Sequence, residues 1–337
     1  MTRHERTCTG KTAVRYKGGL YSVPPTVFEE MESQLGISVP KKIFPYRATF
    51  DFESFFLPLN SSTEKTQLLN EHVPASVAIT SNVPGYEEPM CFVTDGNAQH
   101  LIDRFLSYLE EISNVSRLLI EQTYAPVVDE IDQIISTEKR RVEAGEKPCL
   151  LKYAEKLKSK FQRWMRQFVV LGFNSSGYDL NLTLPYIIHY FKNQGECIFP
   201  VKRGNRFLSL STASLVFLDI AHYVAAGTSL DGYLKAFHPQ GVRKGFFPYE
   251  FFTSPDQLKL KKLPPKEAFS SKLKCTSITD AEYALCKQLW REKEMITFED
   301  YLVYYNISDV VPFLEAVTVQ HDFFCQRRYC NNKSYNH

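Results

Sequence analysis

Three short clusters of acidic and phenolic residues lie far apart in the 337-residue chain, and each has a spacing that could do chemistry once folded. In Arg47-Ala-Thr-Phe-Asp-Phe-Glu53 a strand period of two places Thr49, Asp51 and Glu53 on one face and Phe50 and Phe52 on the other. Carboxylates projecting together from a half-buried strand repel one another, and a fold tolerates them best where a cation sits between them. Oxygen ligands suit hard ions, so Mg²⁺ or Mn²⁺ fits. A solvated strand edge would also account for an isolated D-x-E pair.

The second cluster is Leu171-Gly-Phe-Asn-Ser-Ser-Gly-Tyr-Asp179, where an apolar strand ends at Asn174 and turns through Ser and Gly into a helix. Asp179 then stands at the C-terminal edge of a sheet, where α/β ligand sites form. The same residue types also serve as ordinary helix caps. The third cluster, Tyr304-Tyr-Asn-Ile-Ser-Asp-Val-Val-Pro312, spaces Tyr305 and Asp309 four apart on one helix face, either as a working pair or as a hydrogen-bonded surface couple. Pro312 predicts a kink there or a new helix starting at Asp309.

An α/β architecture is needed to bring these residues together. Aromatic and β-branched runs predict strands over Tyr46 to Leu57, Val73 to Thr80 and Met90 to Thr94, forming a three-stranded meander. From Leu101 the period lengthens to about 3.6, with Leu101, Phe105, Leu109 and Ile112 on one face. A charged, breaker-terminated linker over Glu138 to Pro148 precedes a basic helix from Leu150 to Gln167, so roughly 100–167 reads as a helical insertion. Phe168-Val-Val-Leu-Gly-Phe173 is apolar throughout, as a central parallel strand covered on both faces should be. Further strands are expected near Cys197 to Val201, Arg206 to Leu210 and Leu215 to Ile220. Helices are expected near Thr26 to Leu35, Leu180 to Lys192, Ser229 to Phe237 and Asp280 to Tyr305. The first 40 or so residues read as a polar, irregular extension.

Composition narrows the class. Forty Lys and Arg against 38 Asp and Glu leave a net charge of +2, so any pull toward nucleic acid must be local. Candidates are the cluster Lys152, Lys156, Lys160, Arg163, Arg166 and the cluster Lys259, Lys261, Lys262, Lys266, which also read as solvated surface. Eight cysteines without a CxxC pair or zinc-ligand spacing fit a reducing, intracellular compartment, nuclear or cytoplasmic. Twenty-five Phe and 19 Tyr exclude a disordered chain, and no apolar run approaches the length of a membrane span.

In order and spacing the clusters read D-x-E, N-x3-Y-D and Y-x3-D. They resemble the three exonuclease motifs of the proofreading domain of family B DNA polymerases, the tyrosine-type branch of the DEDD exonucleases. The histidine-type branch would carry His at residue 304, where Tyr304 stands. The resemblance is closer to the protein-primed group, of polinton (Maverick) transposons and related viruses, and spans about residues 12–322. It is carried by Tyr46 to Glu53, Val73 to Ile79, Ser81 to Gly85, Gly172 to Asn181, Lys244 to Tyr249, Leu263 to Phe269 and Tyr305 to Ala316. The polymerase signatures DxxSLYP, KxxxNSxYG and YxDTDS are not found, so this chain alone is not expected to polymerise, and residues 323–337 stand where a polymerase domain would begin.

The resemblance implies an RNase H-like fold over residues 41–322, a mixed central sheet with flanking helices, and a 3′ to 5′ exonuclease using two ions of Mg²⁺ or Mn²⁺. Asp51, Glu53 and Asp309 would hold one ion, Asp51 and Asp179 the second. Tyr305 would orient water or phosphate, and Lys244, in the K-x2-h pattern Lys244-Gly-Phe-Phe247, would assist catalysis. Asn174, Phe52, Ser229 and Leu230 are the residues expected on the DNA strand, Ser229 and Leu230 through an S/T-L-x2-h pattern, and Phe55 and Phe173 are further stacking candidates. The implied partners are the 3′ end of single-stranded DNA and a terminal protein primer; the oligomeric state stays open. Two competing readings remain: a transposon-derived fragment that binds DNA or is inert, and a free-standing RNA exonuclease, which should not carry segments such as Leu263 to Phe269.

Overall fold

The computed structural model describes residues 14–16, 19–21, 25–62, 67–147, 150–238, 240, 245–271 and 275–331. The chain divides into two compact units, Met1–Phe44 with Glu121–Trp164, and Pro45–Ile120 with Met165–His337.

In the first unit, strands β1 (Val14–Tyr16) and β2 (Gly19–Tyr21) pair antiparallel within the segment expected to be irregular. Helix α1 (Val27–Glu30) starts with a capping box between Thr26 and Glu29 and continues as a π turn to Leu35, where Gly36 takes φ 70 to end it. Helix α2 (Ala98–Glu143) contributes its C-terminal part, and α3 (Leu151–Arg166) packs its apolar face through Ala154, Leu157 and Phe161. Trp164 meets Phe28 edge-on at 4.9 Å and Tyr124 at 5.3 Å, and stacks near-parallel on Phe161. The opposite face of α3 exposes Lys152, Lys156, Arg163 and Arg166, while Lys160 pairs with Glu30 at 2.7 Å.

The second unit is α/β, built on a seven-stranded mixed sheet. Its strands are β3 (Arg47–Ser62), β4 (Gln67–Ser81), β5 (Met90–Val93), β6 (Phe168–Gly172), β7 (Phe199–Arg203), β8 (Arg206–Ser211) and β9 (Leu215–Asp219), in the order β5-β4-β3-β6-β9-β8-β7. The expected meander is present, with β4 antiparallel to both β3 and β5. β6 runs parallel to β3 and β9, and its buried Phe168, Val170 and Leu171 explain the unbroken apolar run. β7 and β8 close the far edge as a hairpin turned by Gly204 and Asn205, with Gly204 at φ 60.

The strand period assigns the layers. Phe50 and Phe52 face Phe105 of α2 at 5.9 and 5.4 Å, and α4 (Asp179–Asn193) joins that layer where Tyr190 bonds Ser107 and Glu110. The other face carries α5 (Leu230–Phe237) and α7 (Phe298–Asn331), anchored where Thr49 Oγ1 donates to the carbonyl of Val310 at 2.9 Å. Residues 280–305 are not one helix. α6 (Asp280–Glu292) ends before a tight turn in which Glu294 takes φ 50, and α7 starts anew at Phe298. Asp300 drives the restart by accepting from the amides of Ile296 and Thr297 at 2.8 and 2.7 Å. No helix starts at Asp309 either: α7 runs on through Pro312. Among the described residues no helix is long and apolar enough to cross a membrane.

Candidate metal centre

Asp51, Glu53 and Asp309 place one carboxylate oxygen each within 4.8 Å of one another. The local causes are simple. β6 pairs with β3 only as far as Thr49 opposite Leu171, so Asp51 and Glu53, next on the same face, lie beyond their neighbour's end. α7 crosses that face and lowers Asp309 onto it one turn after Tyr305. Asn306 fixes the helix register by donating to Ser76 Oγ at 2.8 Å and accepting the amide of Ala78 at 3.1 Å, both buried on β4. Beside Glu53 the β3–β4 register shifts, with Ala75 as the extra residue, and Pro74 falls at this bulge, where a missing N–H is tolerated.

The donor set fits a hard cation. Bonds of about 2.0–2.6 Å allow ligand oxygens around one ion to lie up to roughly 4–5 Å apart, and the three oxygens here fall within that limit. Carboxylates this close repel by about 3–4 kcal/mol per ionised pair at an effective dielectric near 20. No sulfur or imidazole belongs to the group, which favours Mg²⁺-like over zinc-like ions.

Asp51 and Glu53 open into a cleft of about 1120 Å³ that is also lined by Asp179, Tyr178, Asn174 and Tyr305. Asp179 is buried and opens α4, but it lies outside the group of three. Its turn is shaped from a distance. Asp219, at the end of β9, accepts the amides of Asn174 at 2.8 Å and Ala221 at 2.9 Å on Oδ1, and of Ser176 at 3.0 Å on Oδ2. Gly172 is required just before it, because an added Cβ would fall 2.4 Å from that of buried Ser175. Asn174 takes the left-handed φ of 57 that asparagine tolerates and stands exposed at the cleft.

Tyr305 and Tyr178, which line the cleft, are each held by hydroxyl hydrogen bonds. Tyr305 is buried, with its ring 5.0 Å from Phe247 and its hydroxyl 2.6 Å from that of Tyr249. Burial, then the neighbouring Tyr249, Asp309 and Glu53, push its phenol well above the ordinary value. Tyr178 bonds Ser54 Oγ at 2.7 Å and His72 Nδ1 at 2.6 Å, while His72 stacks on Phe56 at 4.2 Å. Burial pushes Tyr178 up to about 12, helped by Asp179, Glu53 and Asp51 and opposed by the Ser54 bond.

The expected strand-contacting residues fare differently. Ser229 and Leu230 line the cleft, with Ser229 also capping α5 through its bond from the Gly232 amide. Phe173 lines it as well, whereas Phe55 is buried against Phe252. Phe52 borders the cleft but is 5% exposed, wedged between Phe50 and Phe105, so it offers no free face to a base. Lys244 lies outside the described residues; its neighbour Gly245 abuts Tyr305 so closely that an added Cβ would sit 3.2 Å from the ring. Ser54, His72, Asn306, Tyr249 and Asp219 went unread as site residues. Apart from Ala221 beside Asp219, the hydrogen-bond partners named for them are 43 to 230 residues away in sequence, and only Tyr249, inside the Lys244 to Tyr249 segment, carried a signal.

Comparison with protein-family models gives no match, and comparison with curated proteins gives none either.

Proposed function

We propose that this chain is the 3′ to 5′ exonuclease region of a protein-primed family B DNA polymerase, with an RNase H-like core, trimming single-stranded DNA with the help of two hard cations. The observation that carries the reading is the meeting of Asp51, Glu53 and buried Asp309, with Tyr305 a helical turn ahead of Asp309 and with Asp51, Glu53, Tyr305 and Asp179 lining one cleft. Those residues belong to the three motifs whose order and spacing resemble the DEDD exonucleases. The mixed sheet flanked by helices is compatible with that core.

Asp51, Glu53 and Asp309 would hold one Mg²⁺ or Mn²⁺, and Asp51 with Asp179 the other. Such ions, when bound, neutralise the scissile phosphate and favour ionisation of the attacking water. The chain's own residues supply the positioning. Tyr305 keeps its proton at neutral pH, so its hydroxyl acts as an oriented hydrogen-bond donor and not as a base. Phe173 and Phe246 line the cleft beside Tyr178 and Tyr249, giving unstacked terminal bases apolar surface to rest on. In hydrolysis the water oxygen bonds to phosphorus, the bond to the 3′ oxygen breaks, and that oxygen takes up a proton. The products are a nucleoside 5′-monophosphate and a strand one nucleotide shorter.

The test is a 5′-labelled single-stranded oligonucleotide incubated with the purified chain. The expected outcome is a ladder shortening from the 3′ end with Mg²⁺ or Mn²⁺ and no shortening with EDTA, and no nucleotide added to a primed template. An intact oligonucleotide under both metals would favour a DNA-binding or inert fragment, and shortening of RNA alone would favour an RNA exonuclease.

A further inference from the structure

On charge alone the cleft is a poor host for a polyanion. Asp51, Glu53, Asp179, Asp231, Glu250 and Glu282 line it, and among the described residues its only lysine or arginine is Arg206. Arg206 opens β8 directly after the Gly204–Asn205 turn and is exposed. It makes no ion pair with a described carboxylate. Its Nη1 instead donates to Asn174 Oδ1 at 3.3 Å, and the guanidinium carbon lies 3.6 Å from where a Cβ on Gly177 would stand.

That contact ties the guanidinium to the turn that Asp219 fixes through the Asn174 and Ser176 amides. One long hydrogen bond uses one of five N–H donors and leaves a planar fork, the shape that matches a phosphate bidentately. The same hairpin adds Lys202 and Arg203, and no Asp or Glu occurs from Cys197 to Leu218. Lys202 is partly engaged, lying 4.0 Å over the Phe207 ring and donating to Asn181 Oδ1 at 3.3 Å.

We propose that Arg206 grips a backbone phosphate of the single strand whose 3′ end lies at Asp51, Glu53 and Asp309, an assignment that rests on the exonuclease reading. The hairpin tip thus supplies the attraction that the acidic cleft lacks. It holds the strand without taking part in bond breaking.

The experiment uses the full chain and a short fluorescent oligothymidylate. Affinity is read by anisotropy in Ca²⁺ across a salt series, and kcat and KM are read in Mg²⁺. Arg206→Gln is expected to bind about 10-fold more weakly, with the slope of log affinity against log salt reduced by about 0.7, one phosphate contact on a single strand. KM should rise by a similar factor while kcat falls no more than about twofold. Arg206→Lys, which keeps the charge and loses the fork, should fall between. Melting temperatures equal to the parent's are expected for both variants, the side chain being exposed.

Unchanged affinity and salt slope in Arg206→Gln would overturn the proposal. So would a fall in kcat with KM and affinity unmoved, since the guanidinium would then act only by bracing Asn174. A parent that binds the strand through Arg206 yet shortens it in neither metal defeats the exonuclease reading alone. A parent that shortens it, with Arg206→Gln equally good, defeats the grip alone, and a parent that neither binds nor cuts defeats both.

Discussion

Asp309 meets Asp51 and Glu53 on a face made of regular elements, whereas Asp179 stands on a turn that borrows its shape from another strand. In the first region the strand period sets two carboxylates, and Thr49 and Asn306 lock the register of the helix that brings the third. In the second, the shape comes from one buried carboxylate, Asp219, accepting three backbone amides. The difference teaches that the two halves should fail in different ways. The carboxylate face pays in like-charge repulsion and is relieved by a cation; the turn depends on a single acceptor for its shape.

The largest effect expected is from Asp51→Ala with Glu53→Ala. Nuclease rate should fall by about three powers of ten or more, and the rise in melting temperature on adding Mg²⁺ or Mn²⁺ should vanish. Without metal the double variant should melt no lower than the parent, because removing crowded like charges relieves the fold. A double variant that unfolds would show these residues to be structural.

Asp219→Ala sharpens the contrast from the other side. It removes the acceptor of three amides, at about 1.5–3 kcal/mol for a hydrogen bond to a charged group, so a loss of at least about 3 kcal/mol is expected in urea unfolding. Nuclease rate should drop about 100-fold as Asp179 and Asn174 lose their placement, while the metal-dependent melting shift survives. Loss of that shift as well would break the distinction between the regions.

Tyr305→Phe keeps the ring on Phe247 and deletes one oriented hydroxyl, so a fall of about 10–100-fold in kcat is expected, equivalent to about 1.4–2.7 kcal/mol. Single-turnover rates at saturating DNA would measure it, and a parental rate would remove Tyr305 from the mechanism.

The smallest effect is one of pH. Burial first, then nearby carboxylates, raises Tyr178 to about 12, so the folded state holds this proton more tightly than the unfolded chain, where a phenol titrates near 10. The stabilisation is complete below pH 10 and is lost as pH rises from about 10 towards 12, at about 1.4 kcal/mol per pH unit. Tyr178→Phe should flatten that part of the curve, measured as urea stability against pH. A slope equal to the parent's would contradict the account of Tyr178.

Much of the carboxylate face was legible because its geometry is periodic. A D-x-E pair in a strand and a Tyr-x3-Asp pair in a helix state their own faces, and the apolar Phe168 to Gly172 run states a doubly covered strand. What pins these elements was not legible, since Asn306 to Ser76 and Tyr178 to His72 are long-range bonds with no local pattern. The break between α6 and α7 was missed because apolar residues recur through it; Thr297-Phe-Glu-Asp300 was the available capping signal. Phe52 illustrates the reverse case: an aromatic next to a site looks like a stacking platform in sequence, yet the strand period turns it into the core beside Phe105.

The most direct measurement of the central claim is Mn²⁺ binding followed by electron paramagnetic resonance, with 3′ shortening of single-stranded DNA scored in the same samples. The account predicts saturable Mn²⁺ binding by the parent that rises together with cleavage, and loss of both in Asp51→Ala with Glu53→Ala. Equal Mn²⁺ binding by parent and double variant, or cleavage that persists in the variant, would contradict it.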